Sequence, residues 1–126
     1  MREEVVAMLT ALGVTGAADD PLLDMVISNV QWRIKNLTNL QEIPDGLESM
    51  AVSMAVGEYL NMKKATGSLE GFDLEAAIKQ IQEGDTNTVF AIGDGNLTPE
   101  QRLNSLIDYL TNGRSRELYR FRKFVW

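Results

Sequence analysis

The chain has 126 residues, no cysteine, no histidine and a net charge of −6. This length suits a single domain, and the missing residue types exclude disulfides, thiolate metal sites and histidine-based catalysis. We therefore expect neither an enzyme nor a cofactor. The apolar runs are far shorter than the roughly 20 residues of a membrane span, and the acidic N-terminus is unlike a signal peptide, so we expect a soluble, intracellular product.

The first two helices are predicted from apolar spacing and cap residues. Residues 2–12 carry apolar side chains at intervals of three and four, and Gly13 is a natural stop. Asp20 is a good N-cap for the second helix, with Pro21 in its first position. The predicted apolar stripe of this helix is Leu23, Val26, Ile27, Val30, Ile34 and Leu37, with Leu22 and Trp32 beside it.

A third helix is predicted from Pro44 to about Lys64. Gly57 lies inside it, where glycine costs about 1 kcal/mol relative to alanine, so we expect another helix to pack closely at this point. Met50, Met54 and Met62 also lie on this helix. Methionines can form an adaptable binding surface, but core packing is the preferred interpretation.

A glycine-containing insertion follows at about 66–97. Its centre predicts either a two-stranded ribbon over 77–83 and 86–92 that turns near Gly84, or a helix from Asp73 through Gln82. Both remain open. A hairpin alone is marginally stable in water, so a ribbon here would need a neighbour to pack on.

The fourth helix has the clearest signal. Thr98 is the predicted N-cap, Pro99 the first residue and Gln101 the partner in a capping box, while Gly113 ends the helix. Its predicted apolar stripe is Leu103, Leu106, Ile107 and Leu110. The sequence therefore predicts an all-α fold, a small four-helix bundle with an inserted loop or β-ribbon. We expect a single domain, with a helical body over 1–113 and an extended C-terminal tail over 114–126.

The tail differs from the body in charge and composition. It holds five basic residues and one acid, giving +4, which leaves −10 for residues 1–113. It also holds four of the nine aromatic residues. In an extended conformation, Tyr119, Phe121, Lys123 and Val125 would share one face, and Arg120, Arg122, Phe124 and Trp126 the other.

Three interpretations of the tail compete. It could be a frayed terminus, a nucleic-acid-binding segment of basic and aromatic residues, or a strand that docks on a partner. The acidic body argues against nucleic acid, and four large aromatic residues are unusual in a solvated end. We favour docking, with aromatic and arginine side chains as anchors.

Other clusters have ordinary explanations. Asp19, Asp20 and Asp24 could hold a cation, but helix-start chemistry accounts for Asp20 and Asp24. The stretch IGDGNL over 92–97 lacks the ligand series of an EF-hand and the lysine of a P-loop, so a turn into Thr98 is preferred.

Four stretches follow one another along the chain: VISNVQWRIKNLTN, IPDGLESMAVSMAVGEYL, IKQIQEGDTNTVFAIG and LTPEQRLNSLIDYL, with the arginine-rich aromatic end after them. In this order they resemble phage head–tail connector proteins of the PBSX-like prophage type. These proteins are also called adaptor or head-completion proteins. The resemblance covers nearly the whole chain, and EGDTNTVFA is its most specific part.

This resemblance implies a non-enzymatic structural protein of the virion, assembled in the cytoplasm of the bacterial host. Such proteins form a homo-oligomeric ring, usually a dodecamer, between the portal protein and the stopper or tail-completion protein, and DNA passes through the ring without sequence-specific binding. By position, the tail would bind the portal through Tyr119, Arg120, Phe121, Arg122, Phe124 and Trp126. The insertion would face the channel or the next ring through Lys79, Gln82, Glu83, Asp85 and Asn87.

A ring requires one patch of each subunit to bind a different patch of the next. We expect this interface on the second and third helices, where four residues are predicted to offer surface beyond the core: Trp32, Met54, Gly57 and Tyr59. The alternative function is a small nucleic-acid-binding module that uses the basic aromatic tail.

Overall fold

The computed structural model describes residues 1–14, 16–67 and 99–113, and every regular element within these ranges is helical. The elements are α1 (Arg2–Ala11), a short 3-10 helix (Ala17–Asp19), α2 (Pro21–Thr38), α3 (Asp45–Ala65) and α4 (Pro99–Asn112). The four predicted helices and the helical class of this part of the chain are therefore confirmed. The disputed stretch 77–92, the cap Thr98 and the tail 114–126 lie outside the described residues.

Cap residues set the start of α2 and α3. The Asp20 carboxylate accepts a hydrogen bond from the backbone N–H of Leu22 at 3.0 Å, and Pro21 follows in the first helical position, as predicted. Pro44 has extended backbone angles and is the N-cap of α3, so this helix begins at Asp45, one residue later than predicted. Asn39 ends α2 in the left-handed conformation, with φ of 59°.

Helix α3 is the centre of the fold. Residues 51–57 are all buried, which is typical of a helix that is surrounded by its neighbours. α1, α2 and α4 all pack against it. Ser53 and Gly57, which contact α4, are four residues apart and share one face of α3. Glu58, which forms an ion pair with Arg33 of α2, lies on a different face.

The α3–α4 contact is close because α3 presents small residues to it. A Cβ atom built on Gly57 would lie 2.5 Å from Thr111 Oγ1 and 2.9 Å from Leu110 Cβ. One turn earlier, the Ser53 hydroxyl donates to the backbone carbonyl oxygen of Leu110 at 2.9 Å. The expectation of close helix packing at Gly57 is therefore confirmed, and the partner is a helix of the same chain.

The predicted apolar stripe of α2 is confirmed except at its end. Its first five members are buried, but Leu37 is 49% exposed. Thr38 takes the buried position instead, and its hydroxyl donates to the carbonyl oxygen of Ile34 at 2.7 Å. This bond gives the buried hydroxyl a hydrogen-bond partner inside the core. The last buried residue of α2 is therefore Thr38 and not the expected Leu37.

The start of α4 and the last described residue, Gly113, are the points where the longer undescribed segments join the bundle, and they lie at opposite ends of this helix. Lys64, near the end of α3, contacts Asn104 and lies 3.9 Å from the Glu100 carboxylate in the first turn of α4. The end of α3 and the start of α4 therefore lie at the same end of the helix pair. The tail begins after Gly113, at the other end of α4, which is 14 residues long. At 1.5 Å per residue, about 20 Å separates the two ends.

Candidate interaction surface

All the large apolar side chains that are exposed in the described ranges belong to α2: Met25, Trp32 and Leu37. Met25 is 49% exposed and Trp32 is 62% exposed. They are seven residues apart, close to two helical turns, so they lie on the same outer face. Single exposed apolar residues are common, but two on one face of one helix mark that face as a candidate interaction surface.

Trp32 borders an open cleft at the C-terminal end of α2. The cleft has a volume of about 420 Å³. Its lining consists of Trp32, Lys35, Asn36, Asn39, Leu40 and Gln41. Lys35 Nζ lies 5.3 Å from the centroid of the Trp32 ring, a cation–π distance. An indole, an ammonium and three amides thus share this cleft, which suits a partner that is acidic or neutral.

Sequence reasoning missed the role of Lys35, although a signal was present. Residues three apart on a helix are neighbours, so a lysine three positions after an exposed tryptophan predicts a cation–π contact. Among the described residues, no carboxylate lies within ion-pair distance of Lys35. Its charge is therefore available to a partner at the edge of the α2 face.

A polar cluster joins the start of α2 to the second half of α3. Asp20 Oδ2 accepts a hydrogen bond from the Tyr59 hydroxyl at 2.8 Å and forms an ion pair with Lys63 Nζ at 2.5 Å. Lys63 Nζ also lies 5.5 Å from the Tyr59 ring centroid. Because Asp20 also caps α2 through Leu22, one carboxylate fixes both the helix start and the α2–α3 contact. The sequence indicated the cap but not these partners.

The pKa values of this cluster are shifted in opposite directions. The hydrogen bond from Lys63 lowers the pKa of the Asp20 carboxyl, opposed by partial burial and helped by the Leu22 N–H and the Tyr59 hydroxyl. Burial raises the pKa of the Tyr59 hydroxyl above its ordinary range, and the nearby Asp20 carboxylate adds to this effect. Both shifts favour the charged carboxylate and the neutral phenol at neutral pH.

Stability is expected to fall at both extremes of pH because of these shifts. The contribution of Asp20 is present above its unfolded pKa of about 3.9 and is lost as the pH falls through its lower folded pKa. The contribution of Tyr59 is present below its unfolded pKa of about 10 and is lost as the pH rises towards its higher folded pKa. Urea unfolding at about pH 3 to about pH 11 measures both losses. Asp20→Asn is expected to lose less unfolding free energy at acid pH than the parent, and Tyr59→Phe is expected to lose less at alkaline pH. Unchanged losses in both variants would contradict the assignment.

The structure corrects three of the four residues that were predicted to offer surface for a neighbouring subunit. Met54, Gly57 and Tyr59 are buried, since Gly57 packs on α4 and the Tyr59 hydroxyl is bound to Asp20. The expectation that they offer surface is therefore wrong. Its physical reason is that α3 is covered on several sides by helices of the same chain. Trp32 alone of the four is exposed.

Replacing the exposed Trp32 by alanine is expected to change the free energy of unfolding by less than about 0.5 kcal/mol, as for other surface substitutions. Leu37→Ala is a matched control, because Leu37 is another exposed large apolar residue of α2. Urea unfolding followed by circular dichroism measures both variants. A loss above about 1.5 kcal/mol for Trp32→Ala would show that the indole belongs to the core.

The other predicted site residues lie outside the described residues. These are the proposed channel or next-ring residues Lys79, Gln82, Glu83, Asp85 and Asn87, and the proposed docking residues Tyr119, Arg120, Phe121, Arg122, Phe124 and Trp126. The stretch 92–97 also lies outside them. Their roles stay predictions.

The aspartates near the start of α2 have partners within the protein. Asp20 is bound by Tyr59 and Lys63, and Asp24 accepts a hydrogen bond from Arg2 Nε at 2.8 Å. Within the ranges 1–14, 16–67 and 99–113, no group of three or more acidic side chains is placed to hold a metal ion. None of the helices in those ranges combines the length and apolar character that a bilayer crossing requires.

Comparison of this chain with family models, with curated proteins and with solved structures finds no match.

Proposed function

We propose that this chain is a structural subunit of a tailed-phage particle, in a ring between the portal protein and the stopper or tail. The observation that carries the proposal is that α3 ends and α4 begins at one end of the helix pair, whereas Gly113, the last residue before the tail, lies at the other end of α4. A subunit in a stack of rings has one neighbour above and one below. Two segments that start about 20 Å apart, at opposite ends of a rigid helix, are suited to reach one each.

The tail is the proposed portal-binding segment. It has the aromatic and arginine content of an interface anchor, with Tyr119, Phe121, Phe124 and Trp126 as the apolar contacts and Arg120 and Arg122 as polar contacts. The body that presents it is acidic, with −10 over residues 1–113. In a ring, such a body would not hold DNA tightly, because binding to phosphates needs positive charge along the contact surface.

Co-sedimentation with portal rings from the same source tests this function. The full chain is expected to sediment with the portal, and a truncation after Gly113 is expected to remain in the supernatant. Two full-length variants distinguish the contribution of the aromatic side chains to portal binding from that of the positive charges. One replaces Tyr119, Phe121, Phe124 and Trp126 by alanine and keeps every charge; the other replaces Arg116, Arg120, Arg122 and Lys123 by glutamine and keeps every aromatic residue.

The aromatic variant is expected to lose portal binding, because buried aromatic anchors carry most of the energy of an interface. Equal sedimentation of the full chain and the truncation would assign portal binding to the body and reject the proposed role of the tail. Absence of portal binding, together with DNA binding that weakens steeply with salt and is lost in the glutamine variant, would replace the connector function by nucleic-acid binding.

A further inference from the structure

We draw no further inference here: the strongest candidate, the exposed outer face of α2 around Met25 and Trp32 with the cleft beside it at the C-terminal end of that helix, carries none, because nothing in the described residues shows what covers it.

Discussion

Replacing Gly57 by valine is expected to lower the free energy of unfolding by about 3 kcal/mol, at the upper end of the usual cost of overpacking a core. Any Cβ at this position meets Thr111 Oγ1 at 2.5 Å, Leu110 Cβ at 2.9 Å and the backbone N of Thr111 at 3.0 Å. A hydroxyl could rotate away, but Leu110 Cβ and the α4 backbone can only move with the helix. Valine adds two methyl groups to this clash.

Gly57→Ala separates the clash from helix propensity. Alanine gains about 1 kcal/mol of propensity over glycine, yet the clash is expected to outweigh it and leave a net loss. Gly46→Ala is the matched control, because Gly46 is exposed in the first turn of α3. That variant is expected to be neutral or more stable. Urea unfolding of the three variants measures the difference, and a stabilised Gly57→Ala would contradict the close α3–α4 contact.

Replacing Asp20 by alanine is expected to cost about 3 kcal/mol, from the lost N-cap and the loss of the partner of a buried hydroxyl. The carboxylate caps α2 through Leu22 and binds both Tyr59 and Lys63 on α3. Its removal therefore weakens a helix start and a helix–helix contact together. Thermal unfolding and urea unfolding at neutral pH measure the loss.

Three further variants measure the separate contributions to this loss of unfolding free energy. Asp20→Asn keeps an N-cap of similar quality and removes the ion pair, so a loss of about 1 kcal/mol is expected. Tyr59→Phe removes only the hydroxyl, with a similar expected loss of about 1 kcal/mol. Asp19→Ala removes the adjacent exposed carboxylate and is expected to stay within about 0.5 kcal/mol of the parent. A comparable loss in Asp19→Ala and Asp20→Ala would show that general charge, rather than these bonds, is responsible.

The helices could be predicted from sequence because their signals are local. The Asp20–Pro21 start of α2 and the glycine stop after α4 act within a few residues. The close contact at Gly57 was also predictable, since a glycine inside a long helix usually requires a packing reason.

The candidate surface was less predictable because it depends on which helix lies at the centre. Periodicity alone treats α2 and α3 alike, so Tyr59 and Trp32 both looked available to a neighbour. In the structure α3 is surrounded and α2 is peripheral, which buries Tyr59 and exposes Trp32. The partners of Asp20 were hidden for the same reason: Tyr59 and Lys63 are 39 and 43 positions away and meet it only through the α2–α3 packing.

Electron microscopy of particles assembled without this chain tests the central claim most directly. If the chain joins head to tail, its deletion is expected to leave DNA-filled heads and free tails unjoined, and added purified protein is expected to restore tailed particles. A truncation after Gly113 is expected to fail in this restoration. Normal tailed particles in the absence of the chain would contradict the connector function.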